Sequence, residues 1–123
     1  MRSYRDSDAW KTGHELALAI YDATKPLEER DSGMTHRLRY AAIRGVGRIA
    51  FGLALESRKM SVYAVSSATG YFHEIGWLLN VVRNLELLPA DECDKLDALR
   101  GRVVFYTQKL IETLLTPPAA DPG

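Results

Sequence analysis

The sequence predicts an all-α protein, arranged as an antiparallel up-down-up-down four-helix bundle. Three observations lead there. Apolar residues recur at helical spacing in four segments, no stretch alternates in the manner of a strand, and the joints between segments are short. At 123 residues the chain suits one domain. Residues 1–116 are expected to form it, with 117–123 a flexible proline-rich tail.

The first helix is predicted from about Asp6 to Thr24. Asp6 or Ser7 can cap it, and Asp8 suits the positive end of the helix dipole. Trp10, His14, Ala17 and Tyr21 define its expected inner face, widened by Leu18 and Ile20. The stretch KPLEERDSG then breaks the helix: Pro26 disfavours continuation, and Ser32-Gly33 reads as a flexible joint. The second helix is predicted from about Met34 to Leu55. Leu38, Ala42, Ile49 and Leu53 share its inner side, with Ile43, Val46 and Ala50 beside them. The third runs from about Ser57, a suitable N-cap, to Leu87. Its seam of Ser61, Val65, Ala68, Phe72, Ile75, Leu79 and Val82 alternates steps of four and three. The fourth starts near Pro89, a residue favoured in a first turn, with Asp91, Glu92 and Asp94 at the dipole's positive end. Leu96, Leu99, Val103, Tyr106 and Leu110 make its core stripe.

Composition excludes several classes. The chain is 46% hydrophobic and 26% charged, as globular proteins are. No apolar run reaches the roughly 18 residues that span a bilayer. The N-terminal MRSYRDSDAW has no apolar signal core, so a cytoplasmic location without a membrane partner is expected. The lone Cys93 has no disulfide partner, and its acidic neighbours disfavour a thiolate. No metal, cofactor or catalytic activity is expected: Lys11, Gly33 and Gly70 stand three before His14, His36 and His73, so no Glu-x-x-His pair exists. Formal net charge is zero, which argues against strong nucleic-acid binding, but the charge is segregated. Residues 34–59 hold six basic residues against Glu56 alone.

The second helix carries the unusual stretch RLRYAAIRGVGRIAFG. Helical spacing puts Arg37, Arg44 and Arg48 within an arc of about 40°, flanked by Tyr40 and Phe51. With Arg58 and Lys59 they make the candidate nucleic-acid-binding set, since guanidinium groups neutralise phosphates and rings stack on bases. The same stripe also fits a salt-bridged face, paired with Glu28, Glu29 or the acidic start of the fourth helix. Arg39 falls on the apolar side, where it must reach out or meet an acid. Gly45 and Gly52 lie seven apart in a row with Ala41, a surface that lets a neighbouring helix approach closely. The third helix carries Tyr63, Trp77 and Val81 away from its seam. These three, with Gly45 and Gly52, are the candidate oligomer interface. Glu74 beside the seam needs a partner and reads as a hydrogen-bond anchor.

A set of residues in order carries a family resemblance. It comprises Tyr4-Arg5-Asp6 with Trp10, Tyr21 and Thr24, Gly33-Met34-Thr35, Arg39, Ala41-Ala42, Ile49-Ala50 with Gly52, Ser57-Arg58-Lys59, Ala68, Gly70, Glu74 and Leu87-Leu88. Over roughly residues 4–115 the chain resembles the four-helix-bundle proteins of the 23S ribosomal RNA intervening-sequence family, themselves similar to accessory variability proteins of diversity-generating retroelements. The chain departs from that family's S-I-x-x-N-I-A-E-G pattern. Arg44, Arg48 and Phe51 stand where the pattern has serine, asparagine and glutamate. The resemblance implies a ring-like homo-oligomer, commonly a pentamer. It also implies a non-enzymatic role with RNA, or with a reverse transcriptase and its RNA template. A protein–protein scaffold without nucleic-acid contact is the alternative expectation.

Overall fold

The computed structural model describes residues 3–117, and among these every regular element is helical. A single 3-10 turn, Tyr4–Asp6, leads into α1, Asp8–Ala23. Then follow α2, Leu27–Arg30; α3, Ser32–Ala54; α4, Arg58–Asn84; and α5, Ala90–Leu115. The expected tail lies, from residue 118 on, outside the described residues.

Local sequence sets most of the boundaries. Ser7 Oγ accepts from the Trp10 amide at 3.4 Å, and Ser57 Oγ from the Met60 amide at 3.3 Å, so both serines cap their helices. Pro89 immediately precedes α5, whose first turn carries Asp91 and Glu92. The KPLEERDSG region differs from expectation. Leu27 is wholly buried, and its hydrophobic anchoring winds 27–30 into one helical turn. Asp31 Oδ1 then accepts from the Met34 amide at 2.9 Å and caps α3. Ser32 and Gly33 are therefore the first residues of α3 rather than a flexible joint.

The core follows the predicted seams on α3, α4 and α5. Leu38, Ala42 and Ile49 are buried on α3, and Val65, Ala68, Phe72, Ile75 and Val82 on α4. Each large side chain taken wholly from water contributes roughly 1.5–3 kcal/mol. On α1 the inner face is turned from the expected one. Ala9, Thr12, Gly13, Leu16, Ala17 and Ile20 are buried, whereas His14, Leu18 and Tyr21 are exposed and Trp10 is half-buried. Small residues win this position because α1 crosses its neighbours closely. A Cβ on Gly13 would stand 3.1 Å from Val46 Cγ2 and within 3.9 Å of Phe72. Trp10 instead stacks on His14 at the rim, ring centroids 4.8 Å apart. Ile43 is also outside the core, because Ala41, Ala42 and Gly45 already fill the narrow inner arc of α3.

The main contacts between long helices form a cycle: α1 with α3, α3 with α4, α4 with α5, and α5 with α1. Gly45 and Gly52 belong to the α3–α4 seam inside the chain. A Cβ on Gly45 would meet Phe72 Cε1 at 2.7 Å, and one on Gly52 would meet Val65 Cγ2 at 2.9 Å. Both glycines are buried, so they serve this seam and not the subunit contact to which the sequence pattern assigns them. No helix among the described residues is long and apolar enough to cross a membrane.

Candidate nucleic-acid interface

The arginine stripe of α3 runs beside α4 and meets a row of polar groups on it. Arg37 Nη2 donates to Glu74 Oε1 at 2.9 Å. The Arg44 guanidinium lies beside the Tyr71 hydroxyl, which holds its pKa above the usual arginine value, and Tyr40 acts in the same direction. Arg48 Nε donates to Ser67 Oγ at 2.8 Å, and its guanidinium sits 5.1 Å from the Phe51 ring centroid. Sequence reasoning singled out Glu74 but missed Ser67 and Tyr71, which form a row with it. The row's spacing of four and three was the available signal.

These pairings sort the five candidate cations. Arg37 is compensated by a carboxylate, which answers the need of Glu74 for a partner. Arg58 is committed elsewhere. Its Nη1 donates to the carbonyls of Leu114 at 3.0 Å and Thr116 at 2.5 Å, so it closes the C-terminal end of α5. Arg44, Arg48 and Lys59 form no ion pair with the described carboxylates, and the groups bonded or adjacent to the two arginines are neutral. A neutral partner orients a guanidinium without cancelling its charge. The cations that neither pair with a described carboxylate nor close a helix end are therefore Arg44, Arg48 and Lys59.

Two clefts border this set and share Arg48 and Phe51. One, of about 360 Å³, is lined by Ile43, Arg44, Gly47, Arg48 and Phe51. Gly47 leaves its floor open, since no atom lies within 4 Å of where its Cβ would be. The other, of about 320 Å³, lies between the end of α3 and the start of α4. Phe51, Leu55, Met60, Tyr63 and Ala64 line it, with Arg48 and Lys59 at its edges. The structure thus brings Tyr63 onto the cationic face, apart from the interface residues with which the sequence grouped it. Trp77 lies fourteen residues further along α4, about 21 Å away at helical rise. It is 60% exposed, and Val81, one turn beyond, is half-buried.

Arg39 takes the acid its position demanded. It donates to Glu28 Oε1 at 2.7 Å, Thr24 Oγ1 at 3.0 Å and the Tyr21 carbonyl at 3.2 Å, and it covers the Tyr21 ring. That network ties α1, α2 and α3 together around a cleft of about 430 Å³ that also includes His36, Tyr40 and Ile43. Cys93 is buried, and burial pushes its thiol pKa up, with Arg83 pulling the other way and the acids Asp94, Glu92 and Asp91 adding to the rise. Among the described residues no group of three or more His, Cys, Asp or Glu is placed to hold a metal ion.

Fold and surface together define an all-helical protein whose α3 and α4 share a cationic, aromatic-lined face. No protein-family model matches its sequence, and comparison with curated proteins finds no significant match.

Proposed function

We propose that the chain is a non-enzymatic, homo-oligomeric four-helix bundle that binds RNA through Arg44, Arg48 and Lys59. The observation carrying the RNA reading is one surface on which cations without a carboxylate partner among the described residues lie beside exposed rings, those of Tyr40, Phe51 and Tyr63. Phosphates answer the first and bases the second. The resemblance to the intervening-sequence and retroelement accessory proteins points the same way. It extends the range of partners to a reverse transcriptase carrying its RNA.

The up-down-up-down sense is supported by the order of contacts. Late residues of α3 meet early residues of α4, as Gly52 does with Val65, and early residues of α3 meet late ones of α4, as Arg37 does with Glu74. The α4–α5 pair is reversed in the same way, Arg58 reaching Leu114 and Arg83 reaching Asp94. Self-association is assigned to Trp77 and Val81, the apolar part of the outer α4 face that remains beyond the cationic region.

Fluorescence anisotropy of a labelled single-stranded RNA across a salt series tests the RNA reading. Wild type is expected to bind with a steep salt dependence. Replacing Arg44 and Arg48 together by alanine is expected to reduce the slope by about 1.4. Absence of salt-dependent binding by the wild type at physiological ionic strength refutes the proposal. Zero net charge and the apolar cleft favour one second reading, a scaffold that engages an acidic protein surface. Capture of one protein partner that survives nuclease treatment supports that alternative.

A further inference from the structure

We propose that the cleft between the end of α3 and the start of α4 receives an unpaired base, so that the face selects single-stranded over double-stranded RNA. This rests on the RNA reading above and adds what that surface discriminates. Phe51, Met60 and Tyr63 are 48%, 57% and 74% exposed around a cleft whose lining is almost wholly apolar. Three large apolar side chains left in water around one cavity mark a surface with an occupant.

The charges at the edges choose the occupant. Arg48 stands over the Phe51 ring, and Lys59 lines the same cleft. Neither is compensated by a carboxylate among the described residues. An apolar slot of about 320 Å³ bordered by cations fits a flat, apolar-faced group carried on an anionic chain. An unpaired nucleotide strand has that chemistry, and its bases stack on rings without sequence preference. A duplex presents its phosphates to Arg44, Arg48 and Lys59 but keeps its bases paired inside, out of reach of Phe51 and Tyr63. The rings thus add affinity only for an unpaired strand, whereas the cations serve both.

The experiment compares a single-stranded RNA containing 2-aminopurine, the blunt duplex of the same sequence and an acidic amphipathic peptide. Proteins are wild type, Tyr63→Ala, Phe51→Ala and Tyr63→Phe, each checked for an unchanged unfolding midpoint. The single strand is expected to bind the wild type at least about fivefold more tightly than the duplex at equal salt. Its 2-aminopurine fluorescence is expected to be quenched. Tyr63→Ala and Phe51→Ala should each weaken single-strand binding by about fivefold or more and relieve the quench. They should weaken duplex binding far less than single-strand binding, and Tyr63→Phe, which keeps the ring, should bind the single strand as wild type does. Equal binding of strand and duplex, unmoved by the ring variants, overturns the base slot while the RNA reading stands. Binding of neither RNA overturns both, and peptide binding without RNA binding assigns the cleft to a protein partner instead.

Discussion

Two glycines on one helix show how far a residue's role depends on what it faces. Gly45 and Gly47 both carry the helix penalty of glycine, about 1 kcal/mol relative to alanine. A methyl at Gly45 would stand 2.7 Å from the fully buried Phe72, whose ring has no room to yield, whereas one at Gly47 meets nothing within 4 Å. Gly45→Ala is therefore expected to destabilise by about 1–3 kcal/mol, and Gly47→Ala to stabilise by about 0.5–1 kcal/mol, read as opposite shifts of the urea midpoint. Cys93 gives a second residue-scale test. Burial raises its thiol pKa above that of the unfolded chain, so the protonated form favours the fold. That contribution is complete below the ordinary cysteine pKa and is lost as pH rises through the higher folded value. Stability should fall across that alkaline window in wild type and fall less in Cys93→Ala. Alkylation at neutral pH should be slow until the chain is unfolded.

At the scale of elements, the ends of helices are held by particular side chains. Arg58, at the start of α4, accepts no role on the cationic face because its guanidinium satisfies the terminal carbonyls of α5. Arg58→Ala is expected to speed amide exchange over the last turn of α5 and to cost about 0.5–1.5 kcal/mol. RNA binding should change far less than in Arg44→Ala. The connection after α4 holds Glu86 at a φ of 55°, the left-handed region that disfavours a side chain with Cβ. Glu86→Gly should relieve this and raise stability modestly, by up to about 1 kcal/mol, read from the urea midpoint. Much of the element scale was legible in the sequence. The seam from Ser61 to Val82 and the Ser7 and Ser57 caps are local patterns, and local hydrogen bonding and periodicity produce them. The α1 face was not legible, because bulky Trp10 and Tyr21 look more apolar than Thr12 and Gly13. What decides is the closeness of the crossing with Val46 and Phe72, a property of the neighbours.

For the whole molecule, the contact cycle of α1, α3, α4 and α5 leaves Trp77 exposed on an outer face that the described residues do not cover. If that face is the subunit contact, Trp77→Glu should convert an assembly several times the chain mass into a species of about 13.8 kDa by light scattering. A wild type already at that mass at micromolar concentration removes the ring. Trp77→Glu should leave the intrinsic affinity of the Arg44–Arg48–Lys59 face for a short RNA nearly unchanged. It should reduce the avidity for a long one, because linked sites raise the effective concentration of each other.

The sequence by itself determined the all-helical character, the long helices, the seams of α3 to α5 and the angular stripe of Arg37, Arg44 and Arg48. All of these follow from interactions within a few turns of one helix. Only the tertiary structure decided which cations are engaged within the fold and which are left to the outer face. It paired Arg37 with Glu74 and Arg58 with the end of α5, while giving Arg48 only the neutral Ser67. It also turned Gly45 and Gly52 inward and brought Tyr63 to the cationic face. Helical periodicity fixes the direction in which a side chain leaves its own axis; the element waiting there is set by the packing of distant segments, which no local pattern contains.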